Sequence, residues 1–330
     1  MTADAKASMQ KIARELLQSG NVQFVLGYRQ VPGRFTTTPF YARTPKDADL
    51  LHWGPNCTSN LVTFALAHLK RKPARGEKLD TRPVAVVAKP CDGKSVIALL
   101  QEHQFDREKM MVIGMPCSGQ ADSELLESAL DGKDIYGGEV SLIGNDCSIE
   151  ANGKLHTIPL GDVRQAKCGE CDSHNPTITD VDVGPQVNDP PGDDPPPYRD
   201  VEEMDPDQRW EMWERELSKC IRCYACRNAC PMCYCEECIA EKRFPPWIGK
   251  SHHLPDNIMW NVLRAIHLAG RCIDCGECDR ACPMDIPLRK INRKLQDVVK
   301  DKYGYVPGKD PETPSFVTTF DLDDEEEFIK

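Results

Sequence analysis

Two cysteine runs, CIRCYACRNACP at 220–231 and CIDCGECDRACP at 272–283, hold the most legible chemistry in this sequence. Each reads C-x2-C-x2-C-x3-C-P. The first three cysteines of such a run wrap a loop around one face of a cubane iron–sulfur cluster, and the fourth ligates the neighbouring cluster. The spacing therefore predicts one [4Fe–4S] cluster on Cys220, Cys223, Cys226 and Cys282, and a second on Cys272, Cys275, Cys278 and Cys230. Pro231 and Pro283 close the two loops. Structural zinc favours two separated C-x2-C pairs, so unbroken runs of four suit a cubane pair better.

The loops differ in charge. The first carries Arg222 and Arg227; the second sets Asp274, Glu277 and Asp279 against Arg271 and Arg280. A unit charge at ~8 Å in an effective dielectric of ~20 is worth about 2 kcal/mol, on the order of 90 mV for one electron. On loop charge alone, the cluster wrapped by Cys220, Cys223 and Cys226 is expected at the higher potential.

Nine further cysteines remain. Cys233, Cys235 and Cys238 (CYCEEC) follow the first run directly. They read either as three ligands of a further cluster or as small apolar side chains packed beside the pair. In the first half stand Cys57, Cys91, Cys117, Cys147, Cys168 and Cys171, from which one more cubane would need four. Cys168 and Cys171 form a C-x2-C pair, Cys117 sits in a turn at a strand end, and Cys57 lies at a helix start. Cys91 competes with them. Its turn, Lys89 to Ser95 (KPCDGKS), opens a helix, and Lys89, Asp92, Gly93, Lys94 and Ser95 there could hold a phosphate against exposed amides. The plainer reading is a capped helix. No G-x-G-x-x-G exists, so a Rossmann dinucleotide site is not supported. The histidines, His174 and His252-His253 included, suit solvated positions, and no hydrolytic constellation stands out.

These residues need positioning elements. Residues 5–19 read as a helix with Ile12, Leu16, Met9 and Leu17 on its apolar stripe, closed by Gly20. Strands are expected over 22–28 and 35–43, and a helix over 60–70. Then PVAVVA (83–88) runs into the Cys91 turn and a helix over 95–104, and MMVIGM (110–115) runs into the Cys117 turn. That alternation is the grammar of a parallel α/β layer, which binds ligands at the carboxyl ends of its strands. Weaker strands fall near 140–143 and 155–158. Residues 184–207, dominated by Pro and Asp, read as a stiff linker. A helix over 208–219 with Trp210, Trp213 and Leu217 on one face leads into the first cysteine run. Between the runs, residues 257–269 form an amphipathic helix with Ile258, Val262, Ile266 and Ala269 at helical spacing; another helix follows over 287–302. A helix between the motifs points to a helical two-cluster ferredoxin. The expected division is 1–183, an α/β domain; 184–207, the linker; 208–303, the helical dicluster domain; and 304–330, an acidic tail.

With 330 residues the chain can form two domains with real cores. Its net charge of -11 argues against nucleic acid as main partner. No secretory h-region and no apolar run of membrane-spanning length is present, so a cytoplasmic location is expected. In that setting 17 cysteines point to metal and redox work rather than disulfides.

The ordered segments NVQFVLGYR, PNCTSNL, VAVVAKPCDGKSV, VIGMPCSG and KCGECD over most of residues 20–185 resemble the beta subunits of coenzyme F420-dependent hydrogenases and formate dehydrogenases. The tandem cysteine region is similar to the extension carried by formate dehydrogenase beta subunits and by relatives encoded beside heterodisulfide-reductase-like proteins. The resemblance implies FAD and one [4Fe–4S] cluster in the first domain. By position, Cys117, Cys168 and Cys171 would be cluster ligands, with Cys57 as fourth. It implies an iron–sulfur flavoprotein subunit of an anaerobic redox complex, passing electrons between FAD, clusters and a partner subunit or soluble carrier. The alternative is a flavin-free electron-transfer adaptor. The donor and acceptor are left open among deazaflavin, NAD and ferredoxin.

Overall fold

Val84–Ala88 buries all five of its residues, so it must be an interior strand covered on both faces. In the computed structural model, which describes residues 3–32, 34–130, 138, 140–151, 154–188, 192–320 and 322–323, it is the centre of a five-stranded sheet. The strands are β1 (Val25–Gln30), β2 (Thr37–Ala42), β3 (Val84–Ala88) and β4 (Met110–Gly114); later come β5 (Val140–Ile143), β6 (Asp146–Ala151), β7 (Lys154–Pro159) and β8 (Val181–Asp182). The sheet order is β2-β1-β3-β4-β8, parallel except for the β1–β2 hairpin. The register pairs Val84 with Met110 and Ala88 with Gly114, so β3 and β4 end level. Cys91 and Cys117 each follow three residues after those paired ends.

The helices along the first 170 residues are α1 (Ala3–Ser19), α2 (Val62–Leu69), α3 (Pro90–Gln101), α4 (Ser123–Ala129), α5 (Leu160–Val163) and α6 (Ala166–Gly169). Of the expected stripe, helix α1 buries Met9, together with Ala5 and Ala13, while Ile12, Leu16 and Leu17 are not fully buried; Ala5, Met9 and Ala13 set the inward face. These three residues lie four apart on one face, and the two alanines let the helix approach its neighbours closely. Strands β5, β6 and β7 form a separate antiparallel meander. Strand β6 was not expected, although Gly144-Asn145 between paired Ile143 and Asp146 is a two-residue hairpin turn.

The chain forms two compact units, one of residues up to Lys94 with Phe105–Pro195, the other of Ser95–Gln104 with residues from Pro196 onward. The Pro/Asp stretch is not bare linker throughout. Gly192 N donates to Cys171 O at 2.8 Å and Asp194 N to Gly169 O at 3.0 Å, which fastens that end to the C-x2-C loop. A Cβ on Gly192 would stand 2.2 Å from Gly169 O, so only glycine permits this approach. Further on, α7 (Arg199–Glu202) forms where linker was expected, with Tyr198 and Val201 buried and the Tyr198 hydroxyl donating to Asp297 at 2.5 Å.

The second unit is helical: α8 (Pro206–Ser218), α9 (Ala225–Ala229), α10 (Leu254–Leu268), α11 (Glu277–Arg280) and α12 (Leu288–Tyr303). Asp205 and Gln208 form a capping box at α8, so the Asp-Pro pair assigned to the linker starts the helix. Trp210 is 55% exposed, while Met212 and Leu217 are buried. The inward face of α8 is therefore offset from the expected one. Apart from residues 322–323, the terminal run 321–330 lies outside the described residues.

Candidate metal centres

The two cysteine loops of the helical unit share one backbone. Arg222 and Tyr224 in the first, and Asp274 and Gly276 at the equivalent positions of the second, all have left-handed φ, from 55° to 70°. Three of the four are not glycine, a conformation costing roughly 1–2 kcal/mol each that persists where surrounding structure imposes it. Each loop then enters a short helix, α9 or α11. Cys220, Cys223, Cys226 and Cys282 line a single cavity together with Trp260, Met284, Ile286 and Leu288. Burial first, then the neighbouring Cys282, Cys220 and Cys223, push the Cys226 thiol up to about 11. The fourth cysteine of the second run thus lines the same cavity as the first three of the first run. In the other group, burial pushes Cys272 up to about 12, and Cys278 is held high by burial and Asp279, with Cys272 and Cys275 adding to it. No three His, Cys, Asp or Glu side chains among the described residues are placed to hold a metal ion. A cubane makes a different demand, one thiolate at each of four separate irons.

Helix α10 was expected to face inward with Ile258, Val262, Ile266 and Ala269. Instead it buries Asn257, Trp260, Asn261, Arg264, Ala265 and Leu268, and Ile266 is 56% exposed. The reason is chemical. What lies beneath α10 is a loop rich in carbonyls and thiols, so donors rather than methyl groups are needed there. Asn257 Nδ2 donates to Cys220 O at 2.8 Å and to Leu217 O at 3.2 Å, and Arg264 Nη2 donates to Cys226 O at 2.9 Å. Asn292 of α12 donates to the Cys278 sulfur at 3.7 Å. Hydrogen bonds to ligand sulfurs and loops tune a cluster's potential. Sequence reading missed all three residues. The signal available was polar Asn257, Asn261 and Arg264 on one face of an otherwise apolar helix.

The loop charges are largely compensated. Arg227 pairs with Glu241 at 3.1 Å; Arg289 grips Asp274 at 2.6 and 2.7 Å; Arg280 holds Glu277 at 2.6 Å; and Arg271 is bidentate on Glu102 at 2.9 and 2.8 Å. Asp279 is pushed up to about 6 by burial, against the pull of Arg289. Arg222 donates to the carbonyls of Asp256 at 2.8 Å and Gly249 at 3.2 Å and keeps its charge without a carboxylate partner among the described residues, so the loop-charge asymmetry is reduced rather than cancelled. Arg264, like Arg222 7% exposed, pairs with no carboxylate among the described residues, and its charge acts on Cys230, Cys233, Cys226 and Cys278. It lies among ligands of both expected clusters. Arg264→Gln is expected to lower both midpoint potentials by tens of millivolts, the scale set by ~90 mV for a unit charge at ~8 Å, whereas Arg264→Lys holds them near the parent values. An EPR-monitored redox titration reads this, and two unmoved midpoints in the glutamine variant would sink it.

In the first unit, Cys117 is held high by burial and then by Cys168 and Cys91. Cys91 in turn is held high by burial and Asp92, with Cys171 adding to it, while Lys167 and Lys89 oppose. Cys91, Cys117, Cys168 and Cys171 are therefore within electrostatic reach of one another at the strand ends. Cys57 is not among them. It is fully buried, its thiol pushed up to about 12 by burial, with charged neighbours Lys89 and Asp92. Cys91, not Cys57, is the residue whose charge couples to Cys117, Cys168 and Cys171. Cys147 is buried on β6 in the apolar core under the meander.

The turn expected to cradle a phosphate is also different. Helix α3 begins at Pro90, so Asp92, Gly93, Lys94 and Ser95 already lie within it. Lys89 is 1% exposed; its ammonium meets Asp92 Oδ2 at 2.9 Å, Ser59 O at 2.8 Å and the Tyr28 hydroxyl. Lys94 pairs with Asp172. The two cations that would meet a phosphate are spent inside the unit, and this turn does not fit a flavin pyrophosphate.

Against known proteins, residues 81–195 match the family described as the C-terminal part of the coenzyme F420 hydrogenase/dehydrogenase beta subunit. Residues 219–287 match a 4Fe-4S dicluster domain. This chain joins an F420 hydrogenase/dehydrogenase beta-subunit segment to a 4Fe-4S dicluster domain. It is 41% identical over 104 residues to the F420-dependent formate dehydrogenase subunit beta of Methanocaldococcus jannaschii, covering 32% of this chain and 27% of that relative. With the F420-dependent formate dehydrogenase 1 subunit beta of Methanococcus maripaludis it shares 25% identity over 91% of this chain and 89% of the relative. Among solved structures, a chain of the F420-reducing [NiFe] hydrogenase complex from Methanosarcina barkeri aligns with TM-score 0.39 and 15% identity over 52% of this chain and 62% of that one. Among the described residues no helix is long and apolar enough to cross a membrane.

Proposed function

We propose that this chain is the iron–sulfur electron-transfer subunit of a cytoplasmic formate dehydrogenase- or hydrogenase-type complex. The observation carrying the proposal is the crossed cysteine arrangement, with Cys220, Cys223, Cys226 and Cys282 around one cavity and Arg264 acting on ligands of both groups. Clusters at these thiolates would supply one-electron exchange. The chain's own residues do the rest. Asn257 and Arg264 hold the first loop by its carbonyls; Arg289 holds the second through Asp274; Trp260 and Ile286 keep water from the first group. In the first unit, Cys91, Cys117, Cys168 and Cys171 are proposed to hold one more cluster. Substrate chemistry belongs on this reading to a partner subunit, and the names of the relatives make formate the first donor and F420 the first acceptor to assay.

Anaerobically purified, dithionite-reduced protein is expected to show the spin-coupled EPR spectrum of two neighbouring clusters. Two isolated signals, or none, would overturn the pairing. The flavin rests on family likeness, and no step is routed through it here. Acid release giving one flavin per chain would assign it to a surface other than the Lys89–Ser95 turn; none would leave the cluster-only adaptor as the reading.

A further inference from the structure

The CYCEEC stretch is not absorbed by the pair. Cys233, Cys235 and Cys238 line one cavity of about 500 Å³ in the helical unit, together with Arg264, Arg271 and His267. Three features separate them from thiols packed as small hydrophobes. First, Cys57 and Cys147 show what packing produces here, complete burial, whereas Cys233 and Cys238 are half-buried and Cys235 is exposed. Partial exposure is also what the cluster loops show, Cys220 and Cys223 being half-buried and exposed and Cys272 and Cys278 half-buried. Second, residues 233–238 adopt neither helix nor strand, and Arg227 fixes the loop by donating to Cys235 O at 3.0 Å. Third, Arg264 Nε is buried without a hydrogen-bond partner on the cavity wall. A buried guanidinium with no carboxylate is costly unless an anionic group meets it; of the four sulfurs whose charge acts on it, Cys233 belongs to this stretch and Cys230, Cys226 and Cys278 to the pair.

We propose that Cys233, Cys235 and Cys238 hold a third iron–sulfur centre of the helical unit, a cubane with three cysteine corners and a fourth corner open to the cavity that His267 lines. The three sulfurs bind as thiolates, their protons leaving to solvent. Cys233 N donates to Cys230 O at 3.2 Å, so the new centre stands beside the cluster that Cys230 ligates. Cys235 on its outer side is exposed, which makes this centre the outlet of the relay to a partner. The cavity gives the fourth iron room for an imidazole or a small exchangeable ligand, as a site built from three cysteines requires.

This inference rests on the iron–sulfur reading above, and the experiment separates the two. Iron and acid-labile sulfide are measured on the anaerobically purified full chain, on Cys235→Ser, and on Cys233→Ser/Cys235→Ser/Cys238→Ser, with EPR of the reduced pair on each. The triple variant is expected to lose about four irons and four sulfides per chain while keeping the spin-coupled pair signal. Cys235→Ser, whose exposed side chain supports no core, is expected to lose the same four or to convert to a three-iron signal on oxidation. Iron equal in parent and both variants overturns the third centre and leaves the pair intact. Loss of a single zinc in place of iron also overturns it. Absence of the pair signal from the parent itself would instead mark failure of the wider reading.

Discussion

Lys89→Met is expected to destabilise the β3–α3 region by ~3–5 kcal/mol, the cost of leaving one member of a buried ion pair alone. Asp92 has no exposed surface; its carboxylate accepts from Lys89 N at 2.9 Å and Leu61 N at 3.3 Å, and Lys89 Nζ supplies its cation. The lysine also lies 4.7 Å from the Tyr28 ring centroid and donates to Ser59 O, so it joins β1, the 59–61 segment and the start of α3. Without it, Asp92 must either stay charged and unpaired or take up a proton in the core. Hydrogen exchange of the Val84–Ala88 amides reads the loss locally, with protection falling on the order of a hundredfold or more. Replacing both residues with apolar ones, Lys89→Met with Asp92→Leu, is expected to recover much of the loss, because the uncompensated charge is gone. A phosphate-binding lysine would behave in the opposite way, with its removal leaving protection unchanged.

The second large effect concerns ligand crossing. Cys282→Ser is expected to remove the cluster held by Cys220, Cys223 and Cys226, roughly four irons, although Cys282 lies in the other run. Cys230→Ser likewise is expected to remove the cluster of Cys272, Cys275 and Cys278. The EPR spectrum left by Cys282→Ser should therefore match that of Cys220→Ser and differ from that of Cys272→Ser. The first four thiols line one cavity, and the charges that raise Cys226 come from Cys282, Cys220 and Cys223. If Cys282→Ser and Cys272→Ser instead left the same spectrum, each run would be holding its own cluster and the crossing would be wrong.

Much of this was legible locally. The C-x2-C-x2-C loop is set by sequence-near residues, and both copies adopt the same left-handed positions although Arg222, Tyr224 and Asp274 are not glycine. The β3 and β4 runs are apolar enough to be strands only if both faces are covered, which makes a parallel layer and puts the following cysteines at its carboxyl edge. Helix α10 was legible as a helix, but its orientation was not. Periodicity ranks faces by hydrophobicity, and here the buried face had to satisfy loop carbonyls with Asn257 and Arg264. The same limit explains Trp210 on α8, an aromatic at helical spacing that nevertheless faces solvent.

By itself, then, the sequence determined which eight thiols can make a cubane pair, that the first unit is an α/β layer, and that the second is helical. Each follows from spacing or from runs of apolar residues, interactions that depend on near neighbours in the chain. The tertiary structure alone decided which distant groups meet. It coupled Cys91 electrostatically to Cys117 and Cys171, spent Lys89 on Asp92, neutralised Asp274 with Arg289, and put Arg264 among cysteines from both runs. Charge and burial are summed over everything within several ångströms, and no stretch of sequence records which distant residues will occupy that volume.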